Sequence, residues 1–461
     1  MSEPADVAAA VHRLEQVGAR RLQLQFIDLF GTVNCVNVPA SRFAEVCERG
    51  AWFDGSAIEG FARVLESDMY LVPDPMTLTA VPWEVADGGP VMRVFCHLRT
   101  PEGEIFTGDT RAVLAGQLQR AADLGFAYHV GCEVEFFLFD LAEGGRPRSS
   151  DTASYFDDTL DAGTRARDQL VTTLLELGIK VDSSHHEVAG GQHEIDLASQ
   201  GALAAADAVL LLRVAARAMA GTHGLRASFM PKPLAGVSGS GLHTHQTLLS
   251  ASHGANLFFD ADDPYHLSPI ARHFIAGQLE HAPALAAVTN PVVNSYKRLL
   301  AGYEAPAQVT WAHNNRSALI RVPRVSPAEG TDARVELRCP DAACNPHLAF
   351  SAMLAAGLDG IERELPLRPA LEEQAYEFDP EAVESRYVRS LPSSLSEAVT
   401  ALVGDDVIVD ALGSELVERL AEAKRLEWQQ FAAHVTDWEL DRYLCPPSGA
   451  PRRQSQPGGL A

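Results

Sequence analysis

Along the chain, apolar positions recur with two different periods. In the first hundred residues short apolar runs alternate with turns: RRLQLQFIDLFGTVNCVNVP, then MYLVPDP, then GPVMRVFCHLR. Period-two patterning puts alternate side chains on opposite faces of a strand, so these segments predict a small sheet with a helix or two packed on it. A turn-like TPEGE follows at Thr100 to Glu104 and is expected to mark a domain boundary. Beyond it, strand-like segments (AYHVGCEVEFFLF, IKVDSSHHEV, QHEIDL, RASFMPKP, GLHTHQTLL, ARVELRCP) alternate with long Ala- and Leu-rich helical stretches, which predicts an α+β domain. The most apolar of these, 202–220, is interrupted by Asp207, Arg213 and Arg217, which fall on one arc at about 100° per residue. It reads as a core-facing helix and not as a membrane span. Another helix is expected to begin at Asn345-Pro346, where Asn caps free N–H groups and Pro is preformed for the first turn. The last stretch, rich in Pro, Gly and Ser, has no apolar period and is expected to be disordered. The layout read from these signals is 1–103, 104–445 and a tail of 446–461.

Size and charge narrow the function classes. A chain of 461 residues suits a small domain plus a large one. Its net charge of −24 argues against a sequence-independent nucleic-acid binder, which gains affinity from a basic surface that releases counterions. The seven cysteines are an odd number and form no C-x-x-C pair, so reduced thiols are expected instead of a disulfide frame or a zinc site. The acidic N-terminus lacks the order of a secretion signal, which makes the expected location cytoplasmic.

The chemistry is carried by carboxylates. Glu133 and Glu135 stand two apart in a strand-like run and point to one face, a costly arrangement beside Phe and Leu unless a cation lies between them. In HHEVAGGQHEI, reading Gly190-Gly191 as a two-residue turn pairs Ala189 with Gln192, Val188 with His193, and Glu187 with Glu194. Directly opposed like charges are unfavourable and invite a metal. His243 and His245 share a strand face, as do Glu336 and Arg338. The pool of Glu133, Glu135, Glu187, Glu194, Glu336 and His243 is oxygen-rich and suits Mg²⁺ or Mn²⁺. With Arg298, Arg316 and Arg321 in the same domain, it has the parts of a phosphoryl-transfer site.

In order, FDGSAIEG, GCEVEFFLF, HHEVAGGQHEI, FMPKPLAGVSGSGLHTH, NSYKRLLAGYEAP, NNRSALIRVP and ARVELRCPDAACNPHL resemble the successive signatures of type I glutamine synthetases, over residues 20 to 445. The resemblance implies a β-grasp N-terminal domain, a catalytic domain with a curved antiparallel sheet flanked by helices, and a dodecamer with active sites between subunits. The implied reaction phosphorylates the γ-carboxylate of L-glutamate with ATP, after which an amine displaces phosphate. It implies one metal held by Glu135, Glu187 and Glu194 and another by Glu133, His243 and Glu336. Glutamate is then expected at Gly239, Arg298, Arg316 and Arg338, and ATP at Asp182, His245, Thr247, Arg321 and Arg334. Glu304 corresponds to a flap glutamate, Asp54 to a base supplied by the neighbouring subunit, and Tyr155, Ala57 and Glu187 to the amine pocket.

Four positions depart from the family pattern: Ala57 where a second serine is usual, Ser238 for Asn, Ala301 for Pro, and Ser199 for the aromatic expected on adenine. No Y-D-L-P tyrosine for adenylylation is evident after residue 360. Ammonia is the expected nucleophile. A larger amine, as in γ-glutamylpolyamine or γ-glutamylethanolamide synthetases, stays open, as does a non-catalytic paralogue.

Overall fold

The computed structural model describes residues 4–55, 68–86, 89–141, 147–300, 305–324, 332–372 and 389–444. Ala57, Ala301, Glu304 and the tail 446–461 lie outside them. In the first hundred residues the period-two runs form a six-stranded mixed sheet: β1 (Arg21–Ile27), β2 (Val33–Pro39), β3 (Ala51–Asp54), β4 (Asp68–Pro73), β5 (Thr79–Ala86) and β6 (Gly89–Arg99). β1 lies parallel to β6, and the order is β2-β1-β6-β4-β3 with β5 on β6. This is the β-grasp arrangement, with helices Pro4–Gln16 and Phe43–Arg49 contributing Leu14, Phe43 and Val46 to its core. The chain turns at Thr100–Glu104, where the Thr100 N–H donates to the Glu104 carbonyl (2.9 Å).

The second sheet has nine strands: β7 (Phe126–Leu141), β8 (Pro147–Ser149), β9 (Val181–His186), β10 (Gln192–Gly201), β11 (Leu225–Ser228), β12 (Leu242–Ser250), β13 (Gln308–Ala312), β14 (Ala318–Arg321) and β15 (Val335–Leu337). It curls, in the order β13-β14-β15-β12-β7-β10-β9, with β8 and β11 also on β7. The sixteen-residue β7 sets its two faces. Tyr128, Val130, Cys132, Val134 and Phe136 are buried on one face, where helices Thr110–Asp123 and Ala202–Thr222 pack. The other face carries Gly131, Glu133 and Glu135, followed by a small apolar cluster of Phe137, Phe139 and Ala189. The apolar cluster anchors the end of the strand, and the carboxylates stand beside it.

On helix Ala202–Thr222 Asp207 and Arg213 are buried, as a core-facing helix requires, while Arg217 is exposed and lies over the Phe229 ring (5.4 Å to its centroid). Asp207 accepts from Arg111 Nε (3.1 Å) and meets His347 Nε2 (2.9 Å); Arg111 also reaches Asp74 (2.8 Å), tying the small domain to the large one. Asn345 caps its helix as expected, accepting from the His347 N–H (3.0 Å) while donating to the Asp28 carbonyl (3.1 Å). Gly31, with φ +78°, lies against Asn345 at this joint, where a Cβ would come within 3.0 Å of the Asn345 Cα. The six described cysteines are free thiols. No described helix is long and apolar enough to cross a membrane.

Candidate active site

Three cross-strand rows assemble the polar face of the large sheet. In the first, Arg321 (β14) lies opposite Glu336 (β15), Glu336 opposite His245 (β12), and His245 opposite Gly131 (β7). In the second, His243 (β12), Glu133 (β7), Asp196 (β10) and Ser183 (β9) follow one another; in the third, Glu135, Glu194 and His185. The period of two puts all three rows on one face, so carboxylates remote in sequence become neighbours.

On the β12–β15 side the negative charge is met within the protein. Glu133 contacts His243 Nδ1 at 2.8 Å and His245 Nε2 at 2.7 Å. Glu336, fully buried, accepts from Arg321 (2.7 Å) and from Arg338. Burial alone would raise both carboxyls; the imidazoles at Glu133, and chiefly Arg338 at Glu336, outweigh it and hold both below the ordinary carboxylate range. Donor atoms of Glu133, His245 and Glu336 lie within 4.8 Å of one another.

On the β9–β10 side the hairpin differs from the sequence reading. Glu187 and Glu194 are not directly opposed: Glu194 pairs with His185 and His193 with His186, while the Glu187 N–H donates to the Gln192 carbonyl (2.8 Å). The loop takes four residues, 188–191, instead of two. Gly191 adopts φ +70° and its N–H is held by Asp151 (2.7 Å), so contact with the 150–153 segment overrides the two-residue turn preference. The carboxylates still converge, because Glu187 leaves the end of β9 beside Glu194, and His185 reaches both, at 3.7 and 3.4 Å. His185, Glu187 and Glu194 form a second group with donor atoms within 4.8 Å.

Among the described residues, no lysine or arginine pairs with Glu194 or Glu135; Glu135 accepts from Gln192 (3.0 Å) and the Gly241 N–H (2.9 Å). Burial, then Glu135 and Glu133, push the Glu194 carboxyl up to about 12. Glu194 cannot stay ionised there without added positive charge, and the oxygen donors of this half with one imidazole fit a hard divalent cation. His185 was not singled out in the sequence; its signal was the alternation in SSHHE, which puts it on the carboxylate face.

Two cavities flank the clusters. One of about 40 Å³ is lined by Glu135, Glu187, Ser238, Gly239, Arg298 and Arg338, among others. Arg298 is fixed there by the Cys339 (2.7 Å), Pro340 (3.2 Å) and Arg338 (3.1 Å) carbonyls, and Arg338 by the Arg316 carbonyl (3.1 Å). The other, of about 510 Å³, is lined by Glu133, Asp182, Ser199, His245, Thr247 and Arg334, with neighbours along β7 and β10. Arg321 lines neither, being engaged by Glu336. Tyr155 packs edge-on against His185 (5.3 Å between ring centroids), and burial together with Glu187 and Glu194 raises its hydroxyl. Arg316 is exposed. Asp54 ends β3 on the other sheet and lines neither cavity.

Two family models match this chain: the β-grasp domain of glutamine synthetase over residues 18–101, and the catalytic domain of glutamine synthetase over residues 107–443. Glutamine synthetase of Halobacterium salinarum is 45% identical over 439 residues, 95% of this chain and 96% of that protein. That of Thermotoga maritima is 45% identical over 434 residues, 94% and 98% of the two chains. Among solved structures, a GmaS–ADP complex matches with a TM-score of 0.84 at 34% identity, covering 94% of this chain and 99% of the other. Plasmodium falciparum glutamine synthetase matches with a TM-score of 0.84 at 23% identity over 96% and 99%, a likeness of fold. Spanned by both family models and nearly half identical to these relatives along almost its whole length, the protein belongs to the glutamine synthetase family of ligases, which use ATP and a divalent metal.

Proposed function

We propose that the protein ligates ammonia to the γ-carboxylate of L-glutamate at the expense of ATP. The observation that carries this reading is one sheet face on which two groups of metal-type donors lie between a small arginine-lined pocket and a larger cavity of nucleotide size. Glu135, Glu187 and Glu194 hold one Mg²⁺ or Mn²⁺, and Glu133, His243 and Glu336 another, with His185 and His245 in reach of the same groups. Bound there, the metals neutralise the phosphate charge and the charge that develops on the transferring group.

Glutamate occupies the small pocket, its carboxylates held by Arg298 and Arg338 and its backbone side by Gly239, while Asp182, His245, Thr247 and Arg334 line the ATP side. Arg316 and Arg321 face the transferring phosphoryl group, which requires Arg321 to turn from Glu336. The γ-phosphoryl passes from ATP to a γ-carboxylate oxygen with ADP leaving. The amine nitrogen then attacks the γ-carbon, phosphate departs, and Glu304 takes the surplus proton. Asp54 from a neighbouring subunit, with Tyr155 and Glu187, receives the incoming ammonium, so the working form is a dodecamer with shared sites. The division at 103/104 separates the domain bearing Asp54 from the domain bearing the metal ligands. Free thiols suit a cytoplasmic location.

Phosphate release dependent on both ATP and glutamate, measured with ammonia and with a panel of amines, tests the reading; no ammonia-dependent release would overturn it. A second reading, a larger amine as nucleophile, is favoured by Ala57 in place of a serine and by the GmaS likeness, a γ-glutamylmethylamide synthetase. Under it, putrescine or methylamine exceeds ammonia in kcat/KM, and Ala57→Ser shifts the ratio toward ammonia by up to roughly tenfold.

A further inference from the structure

Behind the β9–β10 hairpin, on the face opposite the carboxylates, lies a second cluster: Asp151, Asp161, His186 and His193, with donor atoms within 4.8 Å of one another. Arg167 is part of it, pairing with Asp161 and donating to His193 Nδ1 (3.0 Å). Its hydrogen bonds tie the hairpin to the segments behind it. His186 places Nδ1 against the Glu187 carbonyl (2.6 Å) and Nε2 against the Asp151 carboxylate (3.2 Å), so the ring bridges these two acceptors. An arginine can only donate, so His193 Nδ1 accepts and the ring is neutral, its Nε2–H directed at Gly163, where any Cβ would collide with it. Two carboxylates thus meet the Arg167 guanidinium and the His186 ring. Both carboxylates of the cluster are engaged by donors of the protein itself, in contrast to Glu194 on the face in front of it.

From this geometry we infer that Asp151 is a positioning residue for the amine side of the active site, acting through His186 on Glu187 and through Gly191 on the hairpin loop. Its carboxylate is almost fully buried and serves three segments. Oδ1 accepts from the Gly191 N–H (2.7 Å), the His186 ring (3.2 Å) and the Ala153 N–H (3.3 Å); Oδ2 accepts from the Ala162 N–H (3.2 Å) and the Ser150 hydroxyl (3.3 Å). The relay from Asp151 through the His186 ring to the Glu187 carbonyl fixes the backbone of a residue whose side chain lies on the opposite face with His185 and Glu194. The same segment leads into Tyr155 and Phe156. Phe156 adopts φ +62° and donates its N–H to the His186 carbonyl (3.1 Å), which sets Tyr155 on the His185 ring. One buried carboxylate therefore determines where Glu187, the loop and Tyr155 stand relative to one another. It touches none of the atoms that would react.

The inference deepens the proposed function and rests on Glu187 and Tyr155 facing the amine. Its test is Asp151→Asn in the full-length assembly, with His186→Gln as a second variant and the remote core change Leu210→Ala as a stability control. Partners that orient metal ligands typically change metal affinity 10- to 100-fold. The expected result is Mn²⁺ binding weakened at least tenfold and the KM for ammonium raised by a similar factor, with the KM for ATP within twofold of the parent. Leu210→Ala should lower the melting temperature without this split. Equal rises in both KM values, or an Mn²⁺ affinity that merely follows melting temperature across the three variants, would overturn the inference. Stoichiometric zinc in the parent that Asp151→Asn removes would also overturn it, by making the cluster a metal site. The Mn²⁺ titration needs no turnover, so a chain that ligates nothing would refute the proposed function and leave the positioning role to be judged by metal binding alone.

Discussion

The two halves of the acidic face are built from the same kinds of side chain and deal with burial in opposite ways. Around Glu133 and Glu336 the charge is met by His243, His245, Arg321 and Arg338, and both carboxyls are held below their ordinary range. Around Glu194 the nearest groups are other carboxylates and His185, and its carboxyl is pushed up to about 12. The first half is preformed, and a ligand entering it competes with arginines already in place. The second half is strained as it stands and is relieved by whatever positive charge arrives.

That contrast breaks first under removal of a carboxylate from the strained half. Glu194→Gln should lower kcat/KM by roughly 10³-fold, the scale of a lost electrostatic contact in the transition state, yet raise the metal-free melting temperature at neutral pH, because a carboxyl that is ionised in the unfolded chain and must take up a proton on folding has gone. Parallel loss of activity and stability would erase the distinction. The same logic predicts that a chelator abolishes turnover.

In the preformed half the sign is reversed. Arg338→Met leaves Glu336 with Arg321 alone in a fully buried setting, and should cost about 3 kcal/mol in denaturant unfolding, near the lower end for breaking a buried pair. A cost below about 1 kcal/mol would mean that Glu336 was never dependent on it.

A smaller effect separates the halves geometrically. Gly191→Ala puts a side chain at φ +70° with its Cβ 2.9 Å from the Leu138 carbonyl oxygen, at a cost of about 1–2 kcal/mol. Mn²⁺ titration should show weaker binding at the Glu187–Glu194 half and an unchanged second site.

The mildest comparison uses the same carboxylate–imidazole pairing away from the site. His281 lies between Asp359 (3.0 Å) and Asp405 (2.7 Å); burial lowers its affinity for a proton, and the two carboxylates more than reverse this. With the folded value raised above the unfolded one, the stabilisation is complete below about pH 6.5 and is lost as pH rises through the folded value. The melting-temperature gap between the parent and His281→Gln should therefore narrow as pH increases; a gap that widens would contradict the pairing.

Much of this was legible in the sequence because a strand's period is rigid. Once β7 was read as a strand, Glu133 and Glu135 had to share a face, and the two-apart spacing of His243 and His245 on β12 worked in the same way. The hairpin register was not legible, since Gly190-Gly191 is compatible with loops of two or four residues and the choice was made by Asp151, some forty positions earlier. Nor could pattern alone show that Glu336 would be neutralised by Arg321 and Arg338: a shared face gives neighbours, and only the folded sheet gives partners. Arg213, placed on the helix arc, proved to be buried and to donate to the Cys344 carbonyl (2.8 Å), a contact that helical periodicity does not encode.

The placement of the metal-type donors on β7, β9, β10, β12 and β15 also bears on how the chain reaches its native state. Glu133 and Glu336 are neighbours across three strands but about two hundred positions apart, so the face closes only after long loops of the catalytic domain have closed. A chain with its first sheet formed and β15 still unpaired has fragments of a site and no assembled one. A divalent ion that binds the finished face and not its precursors favours the last step of folding by mass action, acting as a selective stabiliser of chains that have completed the catalytic sheet.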